Sequence, residues 1–217
     1  KGQLREHGVT LFSANFELYS DISRRIIHIL TEVTSRTEIY SIDEAFLELS
    51  QLATTNYQKI AEQIRDRIWN EVGIPVSIGL AHSKTLAKLA GEYAKKHPET
   101  RSIVDLTTTQ PESTAYRKAV AVEDVWGVGR RYAPKLRGEG IATAEDLATL
   151  PTKRARQLMG VRGEQLVREL RNQTCFEFSK IDSKPKSIAR TRTFGEDTNQ
   201  FYQIEAAIAS FATQAAY

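Results

Sequence analysis

The sequence predicts an α+β fold, and three observations carry that reading. The first half alternates segments of helical and strand periodicity, the chain from about residue 120 turns to short helical pieces punctuated by glycine, and 41% hydrophobic residues in a chain of 217 suffice for a real core. That length holds one large domain or two small ones. No run of 18 apolar residues is present to span a membrane, and Lys1-Gly2-Gln3-Leu4 does not begin a signal peptide. Cys175 is the only cysteine, so no intrachain disulfide can form and a reducing, cytoplasmic setting is the default. His7, His28, His82 and His97 share no ligand spacing with it, which argues against zinc.

Taken in order, Tyr19 to Glu32 sets Ile22, Ile26, Ile29 and Leu30 at helical spacing, with Val33 just beyond. Glu38 to Leu49 follows as a strand pattern with a hairpin or sharp bend at Asp43-Glu44. A helix from Tyr57 to Glu71 buries Ile60, Ile64 and Ile68 and stops at Gly73. Pro75 to Leu80 reads as a strand, with proline tolerable only because it comes first. A helix from Ser83 to Lys96 ends before Pro98, and Ser102 to Leu106 supplies a further short strand. The strands suit an antiparallel or mixed sheet with helices between them. Trp126-Gly127-Val128-Gly129 is then a tight glycine turn leading into a helix through Leu136, which Pro134 should force to begin late or kink. Met159-Gly160-Val161-Arg162-Gly163 opens a similar helix through Leu170, a weak internal repeat.

Three features point to chemistry. Asp43 and Glu44 are adjacent acids among Ile42, Phe46, Leu47 and Leu49, where burial of unpaired charge is costly unless a divalent cation compensates; a solvated turn is the competing explanation. Lys84, Lys88 and Lys95 fall within about 40° of one another at 100° per residue, opposite Leu86, Leu89 and Tyr93, so one helix face is core and the other a lysine stripe. That stripe is either a solvated face or an anion site, with Lys95 and Lys96 able to meet phosphate oxygens at the helix end. Charge is concentrated after residue 125: residues 126–175 carry 10 Lys+Arg against 5 Asp+Glu, whereas residues 1–125 carry 15 against 17. A glycine turn beside Arg130 and Arg131 suits a nucleic-acid phosphate, or merely closes a helix–helix connection.

Ser41-Ile42-Asp43-Glu44-Ala45-Phe46, the Val76-Ser77-Ile78-Gly79 strand with Lys84 to Ala90, and Val125 to Arg131 occur in the order found in Y-family translesion DNA polymerases. The chain resembles the UmuC-type (ImpB/MucB/SamB) group rather than the DinB type, through Trp126, the paired Lys95-Lys96 and Arg192-Thr193-Phe194-Gly195-Glu196. The resemblance implies a palm over residues 1–119 with the end of the fingers at its N-terminus, in Val9 to Tyr19, a helical thumb with helix-hairpin-helix-like turns over 120–178, and a linker with the start of a little-finger domain over 179–217. It implies error-prone DNA synthesis past damaged template in DNA repair and SOS mutagenesis, by two-metal nucleotidyl transfer with Mg2+. Asp43 and Glu44 would be the catalytic metal ligands, Lys95 the contact to the incoming triphosphate, and Gly127, Val128, Gly129, Arg130 and Arg131 the grip on DNA backbone. Partners by resemblance are primer–template DNA, deoxynucleoside triphosphate, UmuD′, RecA and the sliding clamp, in the bacterial cytoplasm.

Family members begin with a strand carrying a further metal-binding aspartate, followed by the fingers with the residues that select the sugar and cover the base pair; by resemblance this sequence starts only around the end of the fingers. The resemblance therefore makes this polypeptide a fragment with little activity of its own, prone to self-association through an uncovered sheet. Two other readings remain: a non-enzymatic DNA-binding module built on the glycine hairpins, and a nucleotide-cyclase-like palm, which the basic hairpin segment disfavours.

Overall fold

A computed structural model describes residues 7–10, 12, 14–107, 110–178, 187–191 and 194–216, with the side chains of 110–113 excepted. The long helix α1 (Phe16–Val33) is started by Asn15, whose side chain accepts from the Leu18 amide, and it begins three residues before its apolar periodicity. Strands β1 (Thr37–Ile39) and β2 (Ala45–Leu47) pair antiparallel, Glu38 opposite Phe46, around a loop of residues 40–44. Helix α2 (Tyr57–Val72) ends as expected at Gly73, which takes a left-handed conformation.

Strand β3 (Ile78–Leu80) is shorter than its apolar run, and it pairs parallel with β4 (Ile103–Asp105). Between them lies α3 (Lys84–Lys96), capped by the Ser83 hydroxyl. The sequence suggested one sheet. The described residues instead form two separate two-stranded sheets, and side chains bridge them: Ala45, Leu47 and Ile78 all pack on the core of Ile29, Leu30, Ile64 and Ile68. Gly79 is the most closely packed of the described glycines, since a Cβ there would stand 2.0 Å from the Ala87 carbonyl oxygen and 2.4 Å from the Gly91 nitrogen.

The second half is helical: α4 (Gln110–Ala119), α5 (Gly129–Gly138), α6 (Ala144–Thr149) and α7 (Thr152–Leu170). Helix α5 runs through Pro134 instead of beginning after it, correcting the expected late start. Helix α7 is broken at Gly160, whose φ of 74° separates two helical pieces at the position the repeat indicated. The largest core cluster joins both halves, with Leu86, Leu89, Val104 and Leu106 packed among Val122, Val125, Val128, Leu136, Leu147 and Val167.

Residues up to Ser179 form one compact unit, and Lys180–Tyr217 a second. The second contains α8 (Phe201–Ala216), which buries no residue. Within it the Arg190 guanidinium donates to the Gln214 carbonyl at 3.2 Å. The segment from about Lys186, and Arg192-Thr193 of the family motif, lie wholly or partly outside the described residues.

Candidate active site

Asp43 and Glu44 sit in the β1–β2 loop. Its backbone is closed by Tyr40 and Ser41, whose amides both donate to the Glu44 carbonyl, at 2.9 and 3.0 Å. The carboxylates differ in surroundings. Asp43 is exposed and accepts from the Ser41 hydroxyl at 2.6 Å, while the half-buried Glu44 forms an ion pair with Lys88. The neighbouring Ile39 and Ile42 are exposed at 54% and 47%, so the acids do not lie in a greasy strand and the burial argument for a compensating cation falls away. What survives is their placement, two carboxylates on one short loop facing a lysine-bearing helix.

The lysine stripe on α3 is not a uniform solvated face. Lys84 is buried, pairing with Glu38 at 2.7 Å and donating to the Glu177 carbonyl at 2.7 Å. Lys88 pairs with Glu44, one turn further along. Lys96 pairs with Asp124 at 2.7 Å and Glu92 at 3.1 Å, and these partners raise its pKa, Asp124 first. Lys96 is therefore engaged at the surface with two carboxylates. Lys95 is exposed and makes no ion pair among the described residues, seven residues and so about 10 Å of helix beyond Lys88. The stripe thus clamps the acidic hairpin at one end and leaves a single cation at the other.

The first glycine turn precedes α5. Gly127 and Gly129 have φ of 90° and 56°, values that favour glycine, while Val128 between them is 1% exposed and pegged into the core. Any ligand contact by Val128 is therefore through its main chain. No side chain caps the start of α5, which leaves its first amides available, and Arg130 and Arg131 are exposed without ion pairs among the described residues. Four residues before Gly127, Glu123 accepts from Arg137 at 2.7 and 2.8 Å, which holds its carboxyl below the usual range.

Two contacts escaped the sequence reading. Glu169 on α7 is fully buried, and its carboxylate accepts from the amides of Thr85 at 2.9 Å, Cys175 at 2.7 Å and Phe176 at 3.0 Å. Its position on the apolar stripe with Leu166 and Leu170 was the available signal. Trp126 packs at 5.4 Å on Tyr40, 5.6 Å on Phe46 and 5.4 Å on Phe176. Nothing in the sequence announces that cluster.

Among the described residues no group of three His, Cys, Asp or Glu side chains could hold a metal ion. A pair of carboxylates nevertheless fits magnesium of the kind whose shell is completed by substrate phosphates and water.

The structure is thus a helix-rich α+β body that presents an acidic hairpin, a lysine-bearing helix and a glycine turn. Residues 3–92 match the impB/mucB/samB family. The chain is 38% identical to UmuC of Salmonella typhimurium over 218 aligned residues, covering all of this chain and 51% of that protein. It is 32% identical to MucB of Escherichia coli, covering 98% and 51%, and 32% identical to a DNA polymerase IV of Streptococcus pyogenes, covering 94% and 55%. Among solved structures, DinB from Sulfolobus solfataricus superposes with a TM-score of 0.64 at 21% identity, over 79% of this chain and 50% of that one. An insertion ternary complex of Dbh DNA polymerase gives 0.60 at 23%, over 73% and 46%; at these identities the likeness establishes a shared fold. The chain is thus similar to the impB/mucB/samB family, whose members include UmuC and MucB, and it spans about half the length of the curated relatives it matches.

Proposed function

We propose that this chain is the palm and thumb of an error-prone translesion DNA polymerase, residues 1–119 and 120–178 respectively, leading into a little-finger domain from 179. The observation that carries the reading is the placement of Asp43 and Glu44 on one loop, against a helix whose far end offers Lys95, exposed and without an ion pair among the described residues. Asp43 and Glu44 would hold Mg2+, which when bound lowers the pKa of the primer 3′-hydroxyl and neutralises the leaving pyrophosphate. Lys88 is the partner that Glu44 has in the structure, and a cation held there would take the place of that lysine or share the carboxylate with it. Lys95 binds the triphosphate of the incoming nucleotide as a point charge. The uncapped start of α5, with Arg130 and Arg131, grips duplex backbone without reading sequence, as a polymerase that accepts any template requires. UmuD′, RecA and the sliding clamp belong to the same reading, as does a cytoplasmic setting.

Two carboxylates alone bind magnesium weakly, so the isolated 217 residues are expected to extend a primer little or not at all. Primer extension by the complete gene product tests the proposal: Mg2+-dependent synthesis should vanish on Asp43→Asn. Undiminished synthesis by that variant would falsify the site. Robust synthesis by the 217 residues alone would remove the claim that they are insufficient. The readings as a DNA-binding module or a cyclase-like palm gain nothing from relatives that are named polymerases.

A further inference from the structure

The catalytic loop and the DNA-gripping turn must be held in register for a primer end to meet Asp43 and Glu44, and the observed contact between them is aromatic. Trp126 is the one large side chain of the turn that leaves the core: Val125 and Val128 are buried at 2% and 1%, and Gly127 has none. Its indole meets the rings of Tyr40 and Phe46, which flank the acidic loop on either side, both in edge-on or tilted geometry. Tyr40 also touches Phe46 at 5.9 Å, closing a triangle. On its other side Trp126 meets Phe176, whose ring carries the Arg162 guanidinium from the second glycine turn at 5.3 Å. Lys84 lies 5.2 Å from the Phe46 centroid and 4.6 Å from that of Phe178. Among the described residues no hydrogen bond joins loop 40–44 to turn 125–129. Edge-to-face rings fix orientation as well as distance, which a loose apolar contact does not.

We infer that Trp126 is a positioning residue, resting on the polymerase reading, that sets where the DNA-gripping turn stands relative to the Asp43-Glu44 loop. Its partners in the fold are the rings of Tyr40, Phe46 and Phe176. Its loss should misplace a bound primer end and leave binding itself largely intact.

The test is rapid-quench single-nucleotide insertion by the complete gene product, separating DNA Kd, the fraction of active enzyme and the insertion rate of the bound complex. Trp126→Ala should lower that insertion rate about 10- to 100-fold, the scale of an ångström-level misplacement. DNA Kd should move less than about 3-fold, because the phosphate contacts that dominate affinity remain. Trp126→Phe, which keeps a ring, should restore most of the rate. Tyr40→Leu approaches the same contact from the other side, and combining it with Trp126→Ala should cost far less than the product of the two effects. Ile68→Ala, in the remote core, is the stability control and should lower the active fraction without changing the rate.

Insertion by Trp126→Ala at the parental rate, or a loss confined to active fraction or to DNA Kd, overturns the inference while leaving the polymerase reading intact. If Trp126→Ala does not fold, Tyr40→Leu and Trp126→Phe decide in the same way. Absence of insertion by the parent protein overturns both.

Discussion

Replacing Glu169 by alanine should destabilise the protein more than any single change at its surface. The carboxylate accepts from three backbone amides, and Thr85 is 0% exposed, so its amide cannot take water without opening the junction of α3 and α7. A buried donor left without an acceptor costs about 1–3 kcal/mol. Thr85 stands near the upper end of that range, and the half-buried Cys175 and Phe176, which water can reach, near the lower end. Sparing the desolvation of a carboxylate returns part of the loss, which leaves a net destabilisation of about 3 kcal/mol. At about 2–4 °C per kcal/mol for a chain of this size, the melting temperature should fall by about 6–12 °C. Glutamine keeps one oxygen and turns an NH2 group toward donors on the other side, so Glu169→Gln should lie between parent and alanine. Thermal melting, with amide hydrogen exchange at Thr85, Cys175 and Phe176, measures both the size and the place of the effect. A melt of Glu169→Ala within about 2 °C of the parent, with unchanged exchange at Thr85, would refute the reasoning.

Other perturbations have equally definite outcomes. Gly79→Ala drives a methyl into the Ala87 carbonyl and the Gly91 backbone, neither of which is a flexible side chain. It should cost about 3 kcal/mol, the top of the range for overpacking, and a soluble variant with parental urea midpoint contradicts the close packing. Arg130→Ala and Arg131→Ala should each reduce the salt slope of DNA binding by about 1 and weaken all sequences alike; a slope unchanged in the double variant removes these residues from the interface. Asp146 caps α6, and its carboxyl lies below the ordinary range because the Thr143 hydroxyl and the Ala142 and Thr143 amides bond its charged form. A lowered folded-state pKa means its stabilisation is full above the unfolded value and is lost as pH falls through the folded one. Asp146→Asn should therefore narrow its stability gap to the parent in acid denaturation below about pH 4, and a gap that widens there contradicts the assignment.

Helix α2 was legible because Ile60, Ile64 and Ile68 repeat at i+4 and Gly73 ends them, all within one turn-by-turn pattern. The turn at Gly127 and the break at Gly160 were legible for the same local reason. The acidic hairpin was half read: a bend at Asp43-Glu44 followed from adjacent acids in a strand, but the exposure of Ile39 and Ile42 depends on what packs over them. The lysine stripe showed the limit most plainly. Lys84, Lys88 and Lys95 share one helix face, yet Glu38 buries the first, Glu44 engages the second and the third is open, because β1 and its loop end partway along the helix. Charge partners 46 and 44 residues apart leave no periodic trace. Glu169 and the rings around Trp126 belong to the same class of long-range contact, visible only once the chain has closed on itself.

The Glu169 contact also bears on how the chain is born. The acceptor for the Thr85 amide lies 84 residues further along. At about 5–20 residues per second, roughly 4–17 s of synthesis separate the two. Throughout that interval α3 can have its Ser83 cap and its contact with β3, but not the partner that completes its buried end, nor the Phe178 ring that covers Lys84. The N-terminal end of α3 must wait for α7. A nascent chain arrested before residue 169 should thus remain a substrate for chaperones and proteases, and become resistant as soon as that glutamate leaves the ribosome.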